Sequence, residues 1–117
     1  MAEGLYRARF TTPLGSGCGV VTAANGVLTG GDSRSYYFGT YILKDNYLTV
    51  ELHVRRHNPR VILPSVLGAL QATVQLDGYF AGTQARLSGF ALAKVPVKLQ
   101  VVIDRLDVPE TLSIGEG

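Results

Sequence analysis

The sequence predicts an all-β fold, with about eight antiparallel strands wound into a barrel or a sandwich. Three observations predict it. Apolar residues recur with a period of two, short turn signals split the chain into strand-length runs, and glycine is frequent, with 14 in 117 residues. With 46% hydrophobic and 17% charged residues, the chain has the material for a core and does not read as disordered. Its length suits one domain over residues 1–117, able to bury its core without a metal or disulfide staple.

The elements follow in order. In the first strand, residues 4–12, Tyr6, Ala8 and Phe10 alternate with Arg7 and Arg9. The second, residues 17–24, continues the glycine-rich run "GSGCGVV", where Cys18 is expected as a buried, inert thiol. Asn25 and Gly26 both tolerate positive φ and make a hairpin turn. Strands at 27–31 and 34–43 flank the corner Gly30-Gly31-Asp32. The second of these is aromatic on both faces, with Tyr36 and Phe38 on one and Tyr37 and Tyr41 on the other. A strand apolar on both faces is buried on both or meets a partner. In a barrel one face is the interior, and the other, to which Tyr37 and Tyr41 are assigned, needs a second subunit or a covering segment.

"KDN" at 44–46 is a second hairpin turn, leading into 47–56. There Leu48, Val50, Leu52 and Val54 oppose Thr49, Glu51, His53 and Arg55, the pattern of a sheet with one wet face. "HNPRVILPSVLGAL" breaks the alternation. Pro64 can open a helix and Gly68 limits its length, so one short helix is expected near residues 64–70, closing an end of the sheet. In 71–80, Ala72, Val74, Leu76 and Phe80 oppose Gln71, Thr73, Gln75 and Asp77. "AGT" at 81–83 turns the chain into 83–93, where a slip of parity at Gly89, from Ala85 and Leu87 to Phe90 and Leu92, predicts a β-bulge. "KVP" at 94–96 precedes a last strand, 97–107, with Val97, Leu99, Val101 and Ile103 inward. A meander of this kind avoids exposed edges by closing on itself, which favours the barrel.

Candidate chemistry is sparse. "GGD" is followed by Ser33, Arg34 and strand-forming residues rather than a helix, so no phosphate cradle is expected, and Asp32 should hold a bend through local backbone N–H groups. His53 and His57 would sit ~13 Å apart on a strand, too far for one metal ion. No carboxylate pair is placed for acid–base work, and neither enzyme activity nor a cofactor is expected. The net charge is only +2, and Arg55, Arg56 and Arg60 form the one basic cluster, so direct nucleic-acid binding is not expected. The N-terminus lacks a signal-peptide core, and no apolar run approaches the ~20 residues of a membrane helix, which points to a whole, soluble, cytoplasmic protein with no membrane partner.

"GLYRARF" at 4–10, "GSGCGVVTAANGVLTGGDSRSYYFGTY" at 15–41 and "LTVELHVRRHN" at 48–58 resemble the GrlR family, negative regulators of type III secretion gene expression. The shared pattern is a Gly-hydrophobic-Tyr first strand, a glycine-rich hairpin ending in Gly-Gly-Asp, an aromatic strand with Gly-Thr-Tyr, then an alternating strand. The resemblance covers the first half of the chain and the order of elements in the second. It implies a lipocalin-like, calycin-type barrel of eight strands with one short helix. It further implies a non-enzymatic homodimer that sequesters a transcriptional activator by protein–protein contact, and an apolar cavity with a small ligand. The loop corresponding to the family's acidic partner loop is Lys44, Asp45 and Asn46, where the acidic run is reduced to Asp45 beside Lys44. A small barrel is either packed solid or holds one small ligand. The inward residues Tyr6, Phe10, Val50, Leu52, Val74, Leu76, Leu99 and Val101 are the candidates for a cavity wall, and each serves equally as core. The alternative to a regulator is an intracellular carrier of an apolar small molecule.

Overall fold

Three two-residue turns hold most of the strands in register. Asn25 and Gly26, at φ 51° and 77°, and Asp45 and Asn46, at 52° and 65°, have the paired positive φ of type I′ turns, whose twist matches the strands they join. In the Gly82-Thr83 loop the glycine comes first, at φ 63°, where an L side chain would be strained. The computed structural model describes residues 3–57, 71–92 and 96–107.

Eight strands follow in chain order: β1 Gly4–Thr12, β2 Gly15–Ala24, β3 Val27–Gly31, β4 Ser35–Lys44, β5 Tyr47–Arg56, β6 Gln71–Ala81, β7 Gln84–Leu92 and β8 Val97–Arg105. Each pairs antiparallel with its neighbour, and β8 returns to β1 from Tyr6↔Arg105 to Thr11↔Gln100, closing the barrel. The expected helix near 64–70 lies outside the described residues, as does most of the expected break at 94–96; no helix occurs among the described ones.

Alternation places the core as expected. Tyr6, Leu48, Val50, Val74, Leu76, Leu99 and Ile103 are all buried inside the barrel. The lower end, where the Asn25-Gly26, Asp45-Asn46 and Gly82-Thr83 turns lie, is plugged. Tyr6 is fully buried there and meets the Phe80 ring edge-on, with centroids 6.4 Å apart. Small residues, Ala23 and Ala85, fill the space around this floor. At the same end the Arg105 guanidinium donates to the Glu3 carbonyl, and the Leu106 N–H bonds Leu5. On the outer wall, Asp104 takes Gln84 and both Arg9 and Arg7, and these donors hold its carboxyl below the usual carboxylate range, Gln84 most strongly.

Three expectations are corrected. No bulge occurs at Gly89: the pairing of β7 with β6 and with β8 runs unbroken through it. Parity is kept because Gly89 itself faces inward and Ala91 is fully buried, while Phe90 and Leu92 point outward and stay exposed. Cys18 is exposed, because the parity that turns Val21 and Ala23 inward turns Cys18, Val20 and Thr22 out. Tyr37 and Tyr41 are not on the outer wall. Tyr37 belongs to the core and Tyr41 packs against it, while Tyr36 and Phe38 take the outside.

Candidate functional site

Glycine shapes the interior. Gly39 of β4 and Gly78 of β6 face inward, and a Cβ added at either would strike a backbone carbonyl of the adjacent strand, Glu51 or Arg86. Such close approach lets the strands coil tightly enough to close a small barrel. Gly17 and Gly19 of β2 serve differently. A Cβ at Gly17 would lie 2.6 Å from the Phe10 ring, and one at Gly19 would lie 2.7 Å from the Tyr37 hydroxyl. Two aromatic side chains therefore lie across the bare backbone of β2 in the upper half of the barrel.

Between this upper layer and the Tyr6–Phe80 floor the barrel is hollow. The cavity measures about 290 Å³. Its wall is aliphatic over most of its depth and includes Leu28, Leu48, Val54, Leu87 and Ile103. Of the eight wall candidates from the sequence, Phe10, Val50, Leu52, Val74, Leu76, Leu99 and Val101 line this one space. Tyr6 does not, because it forms part of the floor beneath it.

The polar lining is confined to the upper end, at the β3–β4 connection and the start of β2: Ser16, Asp32, Ser33, Arg34 and Ser35, with Tyr37 beside them. Asp32 organises this end. Its Oδ1 accepts the backbone N–H groups of Arg34 and Ser35, both at 2.8 Å, and its own N–H donates to the Ser35 carbonyl at 2.9 Å. This is the local bend expected of Asp32, and the corner provides no helix N-terminus for a phosphate. The Tyr37 hydroxyl donates to the other oxygen, Oδ2. Burial pushes the Tyr37 hydroxyl pKa far up, and the bond to Asp32 and the carboxylate's charge push it further the same way. Burial likewise raises that of Tyr6. The tyrosine–carboxylate link is the feature that sequence reasoning missed. "GGD" announced the bend, but which face Tyr37 takes depends on strand parity relative to the barrel axis.

The histidines are engaged separately. His53 lies on the outer wall, with Nδ1 3.3 Å from the Thr73 hydroxyl and Nε2 3.8 Å from Glu51. His57 Nε2 lies 2.9 Å from the Asp32 carbonyl oxygen, so the ring braces the cavity's upper corner from outside. Among the described residues no group of three or more His, Cys, Asp or Glu side chains could hold a metal ion. Around His53 is an aromatic patch. Phe38 is 5.2 Å from its ring, Tyr36 stacks on Phe38 at 6.1 Å, and the Arg55 guanidinium lies 5.1 Å above Phe38. Phe90 and Leu92 of β7 lie on the same wall beyond Thr73. Lys44, Asp45 and Asn46, the expected partner loop, form an exposed turn at the opposite, lower end.

A scan of protein-family models gives no match, and a search of curated proteins finds no similar sequence.

Proposed function

We propose that this protein is a non-enzymatic, cytoplasmic binding protein that takes one small apolar molecule into its barrel. The observation that carries this reading is the cavity of about 290 Å³, aliphatic on its walls and polar at one end. Ligand sites are concave and mostly apolar, with a few placed polar groups, and run from about 300 Å³ upward. This one sits at the lower bound of that range, which suits a medium-length alkyl chain or a compact ring system. An apolar cavity of this size is costly to leave empty, because its lining atoms lack partners. Native mass spectrometry of protein purified without detergent is the test. A retained mass of a small apolar compound, displaced by an added one, is the expected result. A protein that binds no apolar probe at millimolar concentration would end this reading.

A second reading is favoured by the outer apolar patch of exposed Tyr36, Phe90 and Leu92 with half-buried Phe38. Here the protein acts as a homodimeric regulator that sequesters a transcriptional activator, in line with the resemblance to the GrlR family. Exposed apolar surface of this kind supports a protein contact. Phe38→Asp should abolish dimer formation or activator capture while leaving ligand binding intact. Analytical ultracentrifugation showing a monomer in the wild type, with no purified activator retained, would remove it.

A further inference from the structure

We infer that the molecule taken into the barrel is amphipathic, with a hydrogen-bond-donating head group that seats on the Tyr37 hydroxyl and the Asp32 carboxylate. This inference rests on the reading of the cavity as a ligand site and names the chemistry that site selects. The direction of the hydrogen bonds carries it. Asp32 Oδ1 already accepts two backbone N–H groups, which commits that oxygen to the corner. The single proton of the Tyr37 hydroxyl is committed to Asp32 Oδ2. What the pair itself leaves open to the cavity is the lone pairs of the phenol oxygen and of Oδ2, beside the side chains of Ser16, Ser33, Arg34 and Ser35 on the same rim. The pair therefore presents acceptors only.

An alcohol or a protonated amine supplies the missing donor. An ether or ester head offers only acceptors and leaves the pair unanswered. A carboxylate head places like charge beside Asp32 and must be held by Arg34, which lines the same end. The aliphatic wall below then takes the tail, so the ligand enters the barrel tail down and head up. The rigidity of the pair gives it selecting power. Asp32 is held by the corner it closes, and the Tyr37 ring is fitted against Gly19, so the phenol oxygen and the carboxylate stay in register and the phenol proton stays on Oδ2 as long as Asp32 accepts it.

Isothermal titration of the full chain with n-octanol, n-octylamine, octanoate and octyl methyl ether tests this. The alcohol and the amine should bind about tenfold tighter than the ether and the carboxylate, the factor expected of one hydrogen bond to a charged pair. Asp32→Asn should erase or invert that preference. The introduced amide donates to the phenol oxygen and releases the phenol proton toward the ligand. Equal binding of the four probes, tightest binding of octanoate, or an unchanged preference in Asp32→Asn would overturn the inference and leave the cavity reading standing. Failure of every probe to bind would overturn both. The wild-type panel decides the matter even if the variant does not fold.

Discussion

Replacing Tyr37 by Phe removes one oxygen atom and keeps the ring. The ring continues to lie over Gly19 in the core, so packing is preserved. What is lost is the hydroxyl's hydrogen bond to the Asp32 carboxylate. A hydrogen bond to a charged partner contributes about 1.5–3 kcal/mol. Asp32 keeps its two backbone N–H bonds and sits only partly buried at the cavity's end, which places the loss near the lower bound, about 1.5–2 kcal/mol. Unfolding entropy of about 2.1 cal/mol/K per residue gives a chain of this length roughly 250 cal/mol/K, so Tm should fall by about 6–8 °C. Thermal melting followed by circular dichroism at neutral pH measures it. Tyr41→Phe is the control, because the Tyr41 ring also packs on the core but its hydroxyl has no hydrogen bond among the described residues. Its effect should stay within about 0.5 kcal/mol, near 2 °C. Equal shifts for the two variants, or none for Tyr37→Phe, would refute the claim that a tyrosine–carboxylate bond holds the upper end of the barrel.

Three further outcomes are expected. Leu48→Ala deletes a fully buried side chain that already borders a void, so the new space adds to the old; urea unfolding should show a loss of about 3–5 kcal/mol, and longer-chain ligands should bind better. Gly39→Ala sets a methyl against the backbone carbonyl of Glu51, which cannot move aside as a side chain could; the cost should reach about 3 kcal/mol or more, against a negligible effect at an exposed strand position. The third concerns alkaline pH. Tyr6 and Tyr37 ionise above the ordinary tyrosine value of 10.0 when folded, because burial disfavours the phenolate. Their contribution is complete below pH 10.0 and is lost as pH rises beyond it, since the unfolded chain then releases protons that the native state retains. Tyrosinate absorbance from these two residues should appear only with loss of the β-sheet signal, and Tyr37 ionising at pH 10 in the folded protein would contradict this.

Much of this molecule is written in local patterns. The turn residues Asn25, Gly26, Asp45, Asn46 and Gly82 mark their own positions, because positive φ is a property of one or two residues. Alternation placed Leu48, Val50, Val74 and Leu99 on one face, because a strand's period of two needs no knowledge of its neighbours. The same logic failed where both faces were apolar or both bare. In β4, Tyr36 and Phe38 compete with Tyr37 and Tyr41, and the pattern alone cannot say which pair turns inward. In β7, Phe90 and Leu92 imitated a parity slip because small residues, Gly89 and Ala91, hold the true inward positions.

Period, turn chemistry and apolar content follow from the sequence by itself, and together they dictate an antiparallel meander of eight strands; the pairing of β8 with β1 closes it into a barrel. Whether that barrel is solid or hollow was decided only when the strands met. The volume left inside depends on how glycines at 17, 19, 39 and 78 let backbones and rings approach, a sum over all eight walls at once. The pairing of Asp32 with Tyr37 was decided the same way. Their meeting requires the β3–β4 corner to fold back over an inward ring, and hydrogen bonds act over a few ångströms of space, whatever the spacing along the chain.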